Sequence, residues 1–138
     1  MTLPSYSLTL LTGRYAACML PSLASIPSWA MSGGDFWSIT HTSDELSIIC
    51  AQVHLPVEDH PDLVVTQDWM LLRIEGPFAF DVTGVLAALS DVLAREGVVL
   101  LAVATYQTDY LLVKAEQLDT AIAALSNAGH RVTKPEQG

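Results

Sequence analysis

At 138 residues the chain can bury a real core and fits one domain or two very small ones. Half of it is hydrophobic and only 15% is charged, which excludes a disordered chain. Fifteen acids against six bases give a net charge of −9, against nucleic acid, which needs a basic footprint, and against anionic membrane surfaces. Arg14 is the only Lys or Arg before Arg73, so no basic patch can form in the first half. A positive mean hydropathy with so little charge predicts apolar surface covered by a second copy of the chain. Cys18 and Cys50 lack the close spacing of a disulfide framework or a zinc site and read as buried free thiols. No apolar run approaches membrane-spanning length, roughly 20 residues, and no basic segment precedes an apolar one at the N-terminus. The expectation is a cytoplasmic protein.

In chain order, Ser5 to Leu20 alternates polar and apolar residues and predicts one long or broken strand, bent at Gly13. Pro21 to Gly34 reads as loop plus one helical turn, anchored by Trp29 and Met31. Phe36 to Thr42 and Leu46 to Cys50 are strand-like, and the short Ser43-Asp44-Glu45 link makes them a hairpin. Val53 to Pro61, with two prolines, predicts an irregular segment or one short helix. Trp69 to Glu75 is a strand ended by Gly76-Pro77. A helix follows, with Asp81 or Thr83 as N-cap, Val85, Leu86, Leu89, Val92 and Leu93 at helical period, and Gly97 as its stop.

Val98 to Val113 holds two apolar runs around the polar tetrad Tyr106-Gln107-Thr108-Asp109, which predicts two buried strands and a tight connection. Ala115 to Ala128 is a second helix with Leu118, Ala121, Ile122 and Leu125 on one face, and His130 to Thr133 closes as a short strand. Strand–helix–strand–strand–helix–strand is the ferredoxin-like split βαβ. The first half carries a degraded version of the same order. The predicted class is therefore α+β: two tandem βαββαβ modules, residues 1–63 with shortened helices and residues 64–138.

Two segments carry a resemblance. Phe36-Trp37-Ser38-Ile39-Thr40-His41-Thr42-Ser43-Asp44-Glu45-Leu46-Ser47-Ile48 resembles the first module of small bacterial tandem ACT-domain proteins. Thr105-Tyr106-Gln107-Thr108-Asp109-Tyr110-Leu111-Leu112-Val113 resembles the second module's signature in the same group. That group is related to the ACT repeats of aspartate kinases and of the animal cytosolic arginine sensor. The resemblance implies a non-catalytic amino-acid sensor, dimeric, holding a free amino acid between modules or at the dimer interface and acting on a downstream partner. By position, the implied ligand-facing residues are Phe80, Asp81, Val82, Thr83, Gly84 and Val85 at the helix start, with Thr105, Tyr106, Thr108 and Asp109 in the strand connection. Relatives that read basic amino acids carry an extra acid beside the helix start; here Val82 follows Asp81, which points away from arginine and lysine.

The chemistry expected there is simple. A helix start near Thr83 offers unpaired N–H groups and a positive dipole end to an α-carboxylate. Gly84, without a Cβ, permits close approach. Asp109 or Asp81 accepts from the ammonium, and Tyr106, Val82 and Val85 cover the side chain. An interaction module of the same fold without a small ligand is the alternative reading. For catalysis the best cluster is His54-Leu55-Pro56-Val57-Glu58-Asp59-His60, but its prolines make it a solvated acidic loop without the helical spacing of a metal site. No cofactor, metal or catalytic residue is expected.

Overall fold

The computed structural model describes residues 4–58, 60–76 and 84–135. In chain order its elements are β1 (Ser7–Leu10), β2 (Tyr15–Leu20), a 3-10 turn (Ser28–Met31), β3 (Ser38–His41), β4 (Leu46–Ala51), a 3-10 turn (Gln52–His54) and β5 (Val64–Ile74). Then come α1 (Val85–Arg95), β6 (Leu100–Ala104), β7 (Asp109–Lys114), a 3-10 turn (Ala115–Gln117), α2 (Leu118–Asn127) and β8 (Arg131–Thr133). The chain divides into two compact units, Met1–Thr12 with Met70–Gly138, and Gly13–Trp69. Both are α+β sheets of ferredoxin-like type.

In the unit Gly13–Trp69 the sheet order is β3-β4-β2-β5, each neighbour antiparallel. Strand alternation sends Ala16, Cys18, Leu20, Leu46, Ile48 and Cys50 to one face, where they form a core capped by Ala30 and Trp29 of the first 3-10 turn and by Leu55. This is the βαββαβ order with both helices reduced to single turns. Pro21, Pro27, Pro56 and Pro61 explain the reduction, because a proline removes the donor and the conformational freedom that a longer helix needs. Cys18 and Cys50 lie side by side in this core as free thiols. The hydrogen bond between the two sulfurs, with burial, pushes the Cys18 thiol far up; the same bond draws Cys50 down against the opposing pull of burial.

In the other unit β6 pairs β7, β7 pairs β5, β5 pairs β1 antiparallel, and β1 pairs β8 parallel. The linear split βαβ would set β8 beside β5. Instead β1 stands between them, with Leu8 opposite Ile74 on one side and Val132 on the other. The N-terminal strand thus belongs with residues 70–138, whereas a division at 63/64 puts it in the first module. Leu8, Leu10, Leu72, Ile74, Leu111 and Val113 point to the face covered by α1 and α2, where they pack on Val85, Leu89, Leu93, Ala121 and Leu125. Both helices stop at glycine, the first as predicted: Gly97 and Gly129 have φ of +72° and +95°. Val98 N–H donates to Leu93 O and His130 N–H to Leu125 O, each at 3.0 Å, closing a Schellman motif at both ends.

The start of α1 differs from the prediction. Its first residue is Val85 and its N-cap is Gly84, in left-handed conformation (φ +85°), with no side-chain cap. Gly84 O accepts the first helical bond from Ala88 N–H at 2.9 Å. Asp81 and Thr83, the caps expected from sequence, lie outside the described residues.

Candidate functional site

Alternation along β5 decides what faces the sheet surface away from α1 and α2. Leu72 and Ile74 enter the core, so Arg73 takes the opposite face and Glu75 follows it two residues on. Thr9 of β1 is in register with Arg73 and shares that face. Its hydroxyl donates to Glu75 Oε1, and Arg73 Nη2 donates to the same oxygen at 3.1 Å. The Thr9 bond, with a smaller contribution from Arg73, holds the Glu75 carboxyl below the usual carboxylate range, against the opposing pull of partial burial. The backbone beneath is fixed by Glu75 N–H donating to Ser7 O at 2.8 Å.

Facing these is the β6–β7 turn. Thr105 N–H and Oγ1 both donate to Thr108 O at 2.8 Å, and Thr108 N–H returns a bond to Thr105 Oγ1 at 3.3 Å. Thr108 Oγ1 donates to Ile74 O at 2.6 Å, tying the turn to the end of β5. Between them lies a cavity of about 270 Å³ lined by Arg73, Glu75, Gly76, Thr105, Gln107, Thr108 and Tyr110. The side chains of Arg73 and Glu75 remain 40% and 39% exposed. Among the described residues their only partners are each other and Thr9, so Glu75 Oε2 and Arg73 Nε and Nη1 are unspent.

Chemically this arrangement presents opposite charges side by side. Both threonine protons are committed to carbonyls, so neither hydroxyl is poised as a nucleophile. Glu75, kept ionised, is a weak base. An open guanidinium beside an open carboxylate suits a ligand carrying both signs of charge.

The sequence-predicted residues divide. Thr105 and Thr108 line the cavity. Asp109 heads β7 opposite Ala104 and is half-buried, Tyr106 is 80% exposed at the turn, and Val85 is buried in the core. Gly84 is exposed at the start of α1. Among the described residues these four do not line the cavity. Phe80, Asp81, Val82 and Thr83 lie outside the described residues. Sequence reasoning did not assign Arg73, Glu75, Gly76, Gln107 or Tyr110 to the site, although Arg73-Ile74-Glu75 at a strand end announces two opposite charges on one face.

A second cavity of about 200 Å³, in the unit Gly13–Trp69, is lined by Leu55, Pro56, Glu58, His60, Leu63, Val65 and Gln67. It includes part of the His54–His60 loop. His60 Nδ1 accepts the Asp62 N–H at 3.2 Å, which makes the histidine a turn element. No group of three or more His, Cys, Asp or Glu among the described residues is placed to hold a metal ion. No helix among them is long and apolar enough to cross a membrane.

Comparison with known proteins agrees with this architecture. The model of the ACT domain matches residues 64–127, and a second family model, of an N-terminal domain, matches residues 13–58. A crystal structure of a protein from Agrobacterium tumefaciens is 36% identical, with 98% of this chain and 97% of that one covered and a TM-score of 0.87. A protein of unknown function from Vibrio cholerae, described as a possible transport protein, is 20% identical over 90% of both chains, with a TM-score of 0.69. The ligand-free regulatory subunit of aspartate kinase from Thermus thermophilus is 12% identical, covering 88% of this chain and 97% of its own, with a TM-score of 0.61. No curated protein matches the sequence. Residues 64–127 carry an ACT domain, and the chain as a whole has the fold of the aspartate kinase regulatory repeats.

Proposed function

We propose that this protein is a non-catalytic, cytoplasmic amino-acid sensor whose ligand, a free amino acid, occupies the cavity between the end of β5 and the β6–β7 turn. The observation that carries this reading is the Arg73–Glu75 pair beside about 270 Å³ of space, with a donor edge and a carboxylate oxygen that no other described residue uses. Arg73 takes the α-carboxylate in a forked bond, Glu75 takes the ammonium, and each charge-assisted bond contributes roughly 1.5–3 kcal/mol. ACT domains act in regulation, and the fold neighbours include an isolated regulatory subunit. Occupancy then alters how the protein engages a downstream partner, to the extent that the ligand binds two states unequally.

Thermal denaturation against each of the twenty free amino acids tests the reading. A ligand at a hundred times its dissociation constant adds about 2.7 kcal/mol, several degrees at this size. The response is expected in wild type and absent in Arg73→Gln. Silence toward all twenty removes the sensor.

A second reading, an interaction module without a small ligand, is favoured by one surface. On the face of the Gly13–Trp69 sheet opposite its core, Ser38, Ile49, Ala17 and Thr66 form one row across the four strands. Thr40, Ser47, Met19 and Val64 form the next. None of the eight is charged, in a chain of net charge −9, and Met19 and Val64 are 42% and 55% exposed. Such a face suits a second copy, since it buries no like charges. Sedimentation of wild type and Met19→Glu checks it: a dimer that the substitution dissociates supports the reading, and an unchanged mass refutes this placement.

A further inference from the structure

We infer that the amino acid held in this cavity has an uncharged side chain that donates a hydrogen bond, a hydroxyl or a carboxamide, with Thr108 as the residue that selects it. The inference rests on the reading that the cavity takes a free amino acid. Arg73 and Glu75 are used by the two charged groups common to every amino acid, so among the described residues the side chain meets Gly76, Thr105, Gln107, Thr108 and Tyr110. Among these described residues there is no third charge. Against these residues a lysine or glutamate side chain would give up hydration and meet no counter-ion, which disfavours it. No aliphatic side chain is among them either, and Leu72 and Ile74, on either side of Arg73, point to the opposite face of the sheet into the core. A leucine or valine ligand therefore gains little from burial and leaves polar groups unmatched.

The polarity of the lining goes further than its neutrality. Thr105 Oγ1 gives its proton to Thr108 O at 2.8 Å, and Thr108 Oγ1 gives its proton to Ile74 O at 2.6 Å. A hydroxyl that has spent its proton can only accept. Thr105 Oγ1 already accepts the Thr108 N–H, whereas Thr108 Oγ1 receives nothing from the described residues. The oxygen offered to the ligand is therefore an acceptor, held in place by β5, and the matching side chain supplies an O–H or N–H. Serine, threonine, asparagine and glutamine meet this requirement. Aspartate and glutamate, shaped like the amides but acceptor-only and anionic, do not; nor does valine, the near-isostere of threonine.

Titration calorimetry of the full-length protein with three matched pairs is the test: threonine and valine, asparagine and aspartate, glutamine and glutamate. At least one donor-bearing member is expected to bind, and its partner to bind tenfold more weakly or worse, as for sites built around a ligand hydrogen bond. Thr108→Val is expected to erase the difference between paired ligands, and Thr108→Ser to retain it. Should Thr108→Val fail to fold, the wild-type pairs and Thr108→Ser still decide. Charged or aliphatic members binding as tightly as their donor-bearing partners would overturn the inference and leave the amino-acid reading standing. Failure of every amino acid, all twenty included, would overturn that reading itself.

Discussion

If β1 is structurally part of the unit formed by residues 70–138, weakening it must weaken the helices and leave the tryptophans as reporters of something else. Leu8 is fully buried, in register with Ile74 on β5 and Val132 on β8, and packed in the core beneath α1 and α2. Leu8→Ala removes a buried isobutyl group and leaves a cavity, which costs about 3 kcal/mol within the known span for such changes. With a urea dependence of about 1.5 kcal/mol per molar, the midpoint falls by about 2 M. The assay has a built-in control. Both α-helices lie in the unit containing Leu8, and Trp29, Trp37 and Trp69 all lie in Gly13–Trp69. Far-ultraviolet circular dichroism therefore follows one unit and tryptophan fluorescence the other. The helix signal is expected to shift by the full amount, with fluorescence shifting no further. A helix midpoint unchanged to within about 0.5 kcal/mol, with early loss of fluorescence, would show that β1 serves the first module and that the interposed strand is wrong.

Further tests reach other parts of the molecule. Burial holds His130 below the ordinary histidine range, and its neutral Nδ1 accepts the Tyr6 N–H at 3.0 Å. Because the folded pKa is depressed, this contribution is complete above the unfolded value of about 6.5 and is lost as pH falls through the folded one. Urea midpoints measured across this window should decline in wild type and stay flatter in His130→Gln. Cys18 and Cys50, buried in the core, should resist iodoacetamide in the native protein and react only on denaturation; modification at native rates would contradict their burial. Gly84→Ala meets no atom within 4 Å, so the expected cost is purely conformational, about 1 kcal/mol or more from forcing alanine to φ +85°. Amino-acid affinity should be unchanged, and a selective loss of binding at full stability would return the ligand to the helix start.

Much of the fold was legible because it is written in local patterns. The 3.6-residue spacing of Val85, Leu89 and Leu93, the glycines at 97 and 129, and the apolar runs around residues 105–108 each state an element without reference to the rest of the chain. Gly13 (φ +89°) breaks the N-terminal alternation into two strands, as its position suggested. Pairing is another matter. Nothing in Ser7-Leu8-Thr9-Leu10 says that its neighbours are residues 72–74 and 131–133, since a buried strand has the same period whichever partners it takes.

The site follows the same division. The turn residues Thr105 and Thr108 were readable, because a polar group between two buried strands has to sit at a sheet end. The other wall was not, because Arg73 and Glu75 were counted as the polar phase of a strand. Their importance arises only when β1 arrives alongside. Without Thr9, Glu75 lacks the hydroxyl that chiefly holds its carboxylate charged; without Ser7, the end of β5 lacks the carbonyl that anchors it. One non-local pairing therefore accounts both for the strand order and for the charged wall of the cavity. Thr9→Val tests that link directly: the carboxyl of Glu75 should titrate closer to an ordinary glutamate, read by carbon-13 NMR of its carboxylate, while the helix content stays unchanged. An unaltered titration would mean that Arg73 alone holds the charge and that the N-terminal strand does nothing for the site beyond supporting the sheet.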